Sequence, residues 1–190
     1  MTVPGPAGRA GAAGEGGMPG ELTPGAAPLP DDDARWVAFV RADDTTGTIA
    51  ALAGVFAARG VSIASLATGY EDGTSGLVVV TFRTGERRQR MLTRTVERLA
   101  VVRGLVVRRA DDPGVRAAAV VHLPAGVDFG PPPHAVVRWS GDTAHGEPLL
   151  VEGALVDVEA VVRAARAAGG TGDAMVIQPS AEHPHLSSAP

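Results

Sequence analysis

Apolar positions along the chain change their period several times, and each change marks a predicted element. Residues 36–41 are an unbroken apolar run ended by Arg41, suited to a buried strand. Asp43, Asp44, Thr45, Thr46 and Gly47 follow as a polar turn. Ile49, Leu52, Ala53 and Phe56 then recur at i, i+3, i+4 and i+7, one face of an amphipathic helix. Thr46 is the predicted N-cap of that helix. Gly60, after Arg59, supplies the left-handed residue that ends it. Val61, Ile63 and Leu66 predict a strand through about Gly69. Glu71-Asp72-Gly73 marks a turn, and 77–82 is a second apolar strand, so the two form a hairpin. Thr84 is placed to cap a second helix with Leu92, Val96 and Leu99 inward, and 101–107 closes the set as a strand.

The predicted order is strand–helix–strand–strand–helix–strand over residues 35–110. Two helices separated by a hairpin pack on one face of a four-stranded antiparallel sheet, so the fold class is α+β, ferredoxin-like βαββαβ. About a dozen buried Leu, Val, Ile and Phe side chains, at ~1.5–3 kcal/mol each, give that unit a credible core. Residues 116–178 read as a second, smaller α+β unit. Its predicted strands are 117–123, 135–139, 149–155 and 174–178. Its helix is capped by Asp157, carries Val158, Val161, Val162 and Ala165 inside, and pairs Glu159 with Arg163 outside. It resembles the first unit with the first helix deleted. The Pro-rich stretch 124–133 stands in that place, and three consecutive prolines cannot be helical.

Composition changes this picture at the ends of the chain. Residues 1–34 and 179–190 are rich in Gly, Pro and Ala with few large apolar groups, and are expected to be disordered tails. The net charge of −4 lies in the first tail, where Arg9 faces Glu15, Glu21, Asp31, Asp32 and Asp33. The remainder balances arginine against acid, so no global field steers it to nucleic acid or membrane. All 17 basic residues are Arg, and there is no Cys, which removes disulfides, thiolate nucleophiles and Cys-based zinc sites. No signal peptide and no apolar run of ~20 residues is visible, so a soluble cytoplasmic protein is expected.

Candidate chemistry concentrates at the first turn. A strand-to-helix turn presents backbone N–H groups and a helix dipole that favour a carboxylate. Gly47 leaves the approach open, and Asp43 or Asp44 at the rim would pair with an ammonium group. Ser62 and Ala64 are small enough to leave room for a ligand side chain. The residues alone leave a second reading open, in which the Asp and Thr side chains only cap and turn the chain. Elsewhere the residues offer less. Arg83, Arg87, Arg88, Arg90, Arg94, Arg98, Arg103, Arg108 and Arg109 form a basic stretch, but no aromatic ladder accompanies it, so nucleic-acid binding is the weaker alternative. His122, His134, His145, His183 and His185 are scattered without metal-ligand spacing. Ser65, Ser75 and Ser140 lack a nucleophile elbow, and 14–20 lacks the flanks of a phosphate loop. No catalytic constellation is found, and no enzyme activity or cofactor is expected of this chain.

The run from Gly47 to Leu66 resembles the ACT domain family, and within it the acetolactate synthase small (regulatory) subunit. Gly47, Gly54, Phe56, Arg59, Gly60, Ile63, Ser65 and Leu66 match its Ser-Gly-x-Leu, Gly-Leu-Phe-x-x-Arg-Gly and Asn-Ile-Glu-Ser-Leu segments in register. The resemblance implies a regulatory homodimer that binds a small amino acid between paired domains. Its contacts would be Asp44, Gly47, Thr48, Ile49 and Ser62, with Ile63 and Ala64 close by. It further implies a catalytic-subunit partner that would itself hold any thiamine diphosphate and flavin. This sequence departs from the pattern where the family's Asn is Ser62, its Glu is Ala64 and its first-turn Asn is Asp44. Ser62 offers one donor where an amide offers two. A ligand-free ACT dimerisation module is therefore the alternative.

Overall fold

The computed structural model describes residues 34–70 and 75–177. The expected tails and the Glu71-Asp72-Gly73 turn lie outside the described residues.

Strands β1 (Arg35–Asp43) and β3 (Ser75–Arg83) carry unbroken buried runs, Val37 to Val40 and Leu77 to Phe82. A strand buried at every position needs cover on both faces, and these two occupy the middle of their sheet. With β2 (Ile63–Tyr70) and β4 (Val102–Arg109) the order is β2-β3-β1-β4, all neighbours antiparallel. Trp36 stands opposite Phe82 and Asp43 opposite Ser75. Strands β2 and β4 are the edges.

Helices α1 (Thr48–Ala58) and α2 (Glu86–Val96) cover one face of this sheet. Leu52, Phe56, Leu92 and Val96 pack there against Ala38, Val40, Val78, Val80 and Phe82. The Phe56 and Phe82 rings meet edge to face, centroids 5.2 Å apart. Helix α1 ends as the sequence predicts. Gly60 has φ 62°, its N–H donates to Ala57 O, and the Val61 N–H donates to Phe56 O, the double bond pattern that closes a helix around a left-handed glycine.

Three expected local features differ. The buried stripe of α1 runs through Thr48, Leu52 and Phe56, while Ile49 is 40% exposed. Thr48 faces the sheet because its hydroxyl donates to Asp43 O, which turns the helix by one position. The N-caps of α1 and α2 are Gly47 and Gly85 rather than Thr46 and Thr84, and neither makes a side-chain cap bond. Thr84 is instead buried, with its carbonyl accepting the Trp36 indole N–H at 2.9 Å.

The other face of the first sheet is covered by the second unit. Strands β5 (Arg116–His122), β6 (Val137–Ser140), β7 (Leu149–Ala154) and β8 (Thr171–Val176) form a sheet of order β6-β7-β5-β8 with helix α3 (Leu155–Ala167). This is the strand arrangement of the first sheet repeated, with no helix in the crossing between β5 and β6, where the prolines lie. Val158, Val161, Val162 and Ala165 of α3 are buried as expected. They share one apolar cluster with Ala117, Ala119 and Val121 of β5, Leu149 and Val151 of β7, and Val37, Phe39, Leu77 and Val79 of the first sheet. Glu159 does not pair with Arg163. It receives both terminal nitrogens of Arg35, at 2.7 and 2.6 Å, joining the two units. A bidentate, partly shielded guanidinium pair outcompetes an exposed pair along a helix. Asp157 lies in the first turn of α3, whose N-cap is Ala154.

Candidate functional site

The β1–α1 turn is held by its own polar atoms. Asp43 O accepts from Thr45 N–H and from the Thr48 hydroxyl, both at 2.9 Å, and the Thr45 and Thr48 hydroxyls lie 3.1 Å apart. The Thr48 N–H donates to Thr45 O at 3.2 Å. Gly47 takes φ 95°, a left-handed conformation that costs other residues ~1–2 kcal/mol. The helix then starts without a capping side chain. The amides of Gly47, Ile49 and Ala50 have no partner among the described residues, so the anion-attracting donors sit there and not on Thr48.

Beside this turn lies a cleft of about 200 Å³. Asp43, Asp44, Thr45, Thr48 and Ile49 line it from the turn. Thr68 and Gly69 line it from β2, and Gly76, Leu77 and Val78 from β3. Pockets for drug-sized ligands run ~300–1,000 Å³, so this one suits a smaller molecule. A Cβ built on Gly76 would come 3.4 Å from the Gly69 carbonyl oxygen, and one built on Gly69 would meet nothing within 4 Å, so the cleft wall here is open backbone.

The two aspartates differ in state. The Asp43 carboxylate is bound by Arg103 of β4, with Nε at 2.6 Å and Nη2 at 2.5 Å. That hydrogen-bonded guanidinium holds the Asp43 carboxyl below its ordinary range, and the same pair raises Arg103. Asp44 is exposed and has no partner among the described residues. Of the two, Asp44 is the carboxylate available to an ammonium group.

Of the residues singled out by sequence, Asp43, Asp44, Thr48 and Ile49 line the cleft; Gly47, the N-cap between the lining residues Thr45 and Thr48, does not itself line it. Ser62, Ile63 and Ala64 are not brought to it within one copy. Ile63 pairs with Phe82, which pairs with Trp36, at the far end of the sheet from Asp43. Seven residues of strand at ~3.3 Å each put ~23 Å between them. The helix that follows the turn runs back along the sheet, so the strand after it starts at the opposite end. Thr68, Gly69, Gly76 and Arg103 were not anticipated. Gly69 stands at the end of one predicted strand and Gly76 just before the next, so the sequence carries no specific signal for them.

No family model matches the chain, and no curated protein matches its sequence. Among solved structures it is similar to the acetolactate synthase small subunit from Thermotoga maritima, with a TM-score of 0.50 and 16% identity over 77% of this chain and 99% of that one. The fold is ACT-like. It is also similar to the regulatory subunit of aspartate kinase from Thermus thermophilus, in its ligand-free form, with a TM-score of 0.40 and 14% identity over 72% of this chain and 92% of that one. Among the described residues no helix is long and apolar enough to cross a membrane, and no cluster of His, Asp and Glu could hold a metal ion.

Proposed function

We propose that the chain is a non-catalytic regulatory protein that binds a small amino acid where two ACT-like units meet. Its client would be an acetolactate-synthase-like or other enzyme of amino-acid metabolism. The observation that carries this reading is the position of β2, an exposed edge strand whose last residues, Thr68 and Gly69, form a wall of the cleft. An uncovered edge is a template for another strand. If two β2 strands pair antiparallel about a centre between Leu66 and Ala67, Ala64 of the second copy stands opposite Gly69 of the first. The Ser62 to Ala64 segment of one copy then meets the turn and cleft of the other, and the two halves of the predicted site become one. The free amides at the start of α1 would hold the ligand carboxylate, and Asp44 its ammonium group.

A thermal-shift screen over the twenty amino acids tests this. A ligand at ~100-fold excess over Kd adds ~2.7 kcal/mol, which for a chain of this size raises Tm by ~5–10 °C. No shift with any amino acid would remove the sensing role. A second reading, a ligand-free dimerisation platform, is favoured by the internal satisfaction of Asp43 by Arg103 and of the Thr48 N–H by Thr45. Dimerisation and client binding that ignore every amino acid would select it.

A further inference from the structure

At the end of the sheet remote from that cleft, the C-terminus of α1 and the N-terminus of α2 frame an open cleft of about 420 Å³. Arg59, Gly85, Arg87, Arg88 and Met91 line it. Arg59 reaches the Thr95 hydroxyl at 2.9 Å. Arg87 and Arg88 are exposed and have no partner among the described residues. Among the described residues no acidic side chain lines the cleft. Glu86, next to it, is held by Arg90 one turn on.

The chain itself leads acid to this place. The Ala34 carbonyl accepts the Thr84 N–H at 3.0 Å, so the first described residue is fixed one residue from Gly85 in the cleft wall. Asp31, Asp32 and Asp33 immediately precede it. Three extended residues span ~10 Å at most, which makes the tether between the acids and the cleft wall short. The first tail also holds the whole net charge of −4, while the remainder is balanced.

We propose that the Arg59–Arg87–Arg88 cleft is a docking site for an acidic peptide, and that its occupant is this chain's own Asp31–Asp33 segment. A tether this short keeps the acids at an effective concentration that a free anion does not match. Each exposed ion pair contributes little alone; three acids against three arginines at an uncapped helix start act together. The segment thereby screens the end of the α1–α2 layer, and an acidic partner docking there has to displace it. This inference is independent of the amino-acid cleft.

The absence of Cys makes the test direct. Spin labels on the full chain at Leu29→Cys and Ala57→Cys report the distance from the segment to the end of α1. At ~0.01 M salt, where screening reaches only beyond ~30 Å, a single narrow distance is expected. It should be lost in Asp31→Asn/Asp32→Asn/Asp33→Asn, in Arg87→Gln/Arg88→Gln, and in wild type at ~1 M salt, where the screening length is ~3 Å. The tail substitutions lie outside the core, and an unchanged Tm confirms that the arginine variant is folded. A broad distribution in the wild type at low salt overturns the proposal. So does a narrow one that survives both sets of substitutions.

Discussion

Gly69→Val separates the cleft from the fold that carries it. Gly69 sits in edge strand β2 opposite Leu77, and a Cβ built there meets nothing within 4 Å. Its backbone is not in the left-handed region, so a β-branched residue is tolerated. Removing a glycine from a strand interior gains ~0.5–1 kcal/mol through the unfolded chain and strand preference. The variant should therefore match or exceed the wild type in urea denaturation. The added branched side chain, however, shares the sheet face of its partner Leu77, opposite α1, and stands at the seam proposed for the second copy, facing that copy's Ala64. The ligand-dependent gain, ~2.7 kcal/mol at ~100-fold excess over Kd, should fall to near zero. Paired melts with and without the amino acid that most stabilises the wild type read both numbers at once. A variant that keeps the full ligand shift would refute the placement of the ligand. One destabilised by more than ~1 kcal/mol without ligand would refute the reasoning about the strand.

Other perturbations test the scaffold. Phe56→Ala removes a ring that is 2% exposed and packed edge-on to Phe82, and should cost ~3–5 kcal/mol in denaturant unfolding. Gly47→Ala meets no steric block, yet forces alanine to φ 95°, so a loss of ~1–2 kcal/mol is expected from the backbone alone. Because Arg103 depresses the Asp43 carboxyl, this pair adds stability above the unfolded Asp value of ~3.9 that disappears as pH falls through the lower folded value. Tm should therefore drop more steeply below about pH 4 in wild type than in Arg103→Gln, as melts across that range would show.

Much of the fold is written in the period of the apolar residues. The unbroken runs of β1 and β3 mark central strands, Gly60 marks the end of α1, and the prolines after β5 mark a crossing without a helix. What stayed hidden depends on which partner wins a contest decided in three dimensions. Thr46 and Thr84 look like caps, but glycines take those positions: Thr48 binds the Asp43 carbonyl, and Thr84 is buried with its carbonyl accepting the Trp36 indole N–H. Glu159 has a helical neighbour in reach by sequence, yet Arg35, 124 residues away, takes both its oxygens. The site was half legible. The turn side is local and readable, whereas Thr68, Gly69 and Gly76 enter through strand register, and Arg103 through the β1–β4 pairing. The segment Ser62 to Ala64 is adjacent to the turn in sequence logic but a sheet length away in one copy.

That separation supplies the most direct measurement. Amide resonances of the full chain, followed during titration with the stabilising amino acid, report both ends of β2 in one experiment. The account predicts that Gly47, Ile49 and Ala50 shift together with Ser62, Ile63 and Ala64, along one binding curve, because two copies bring the distant ends into contact. Shifts at the turn alone, with Ser62 to Ala64 unmoved, would contradict a ligand held between paired units.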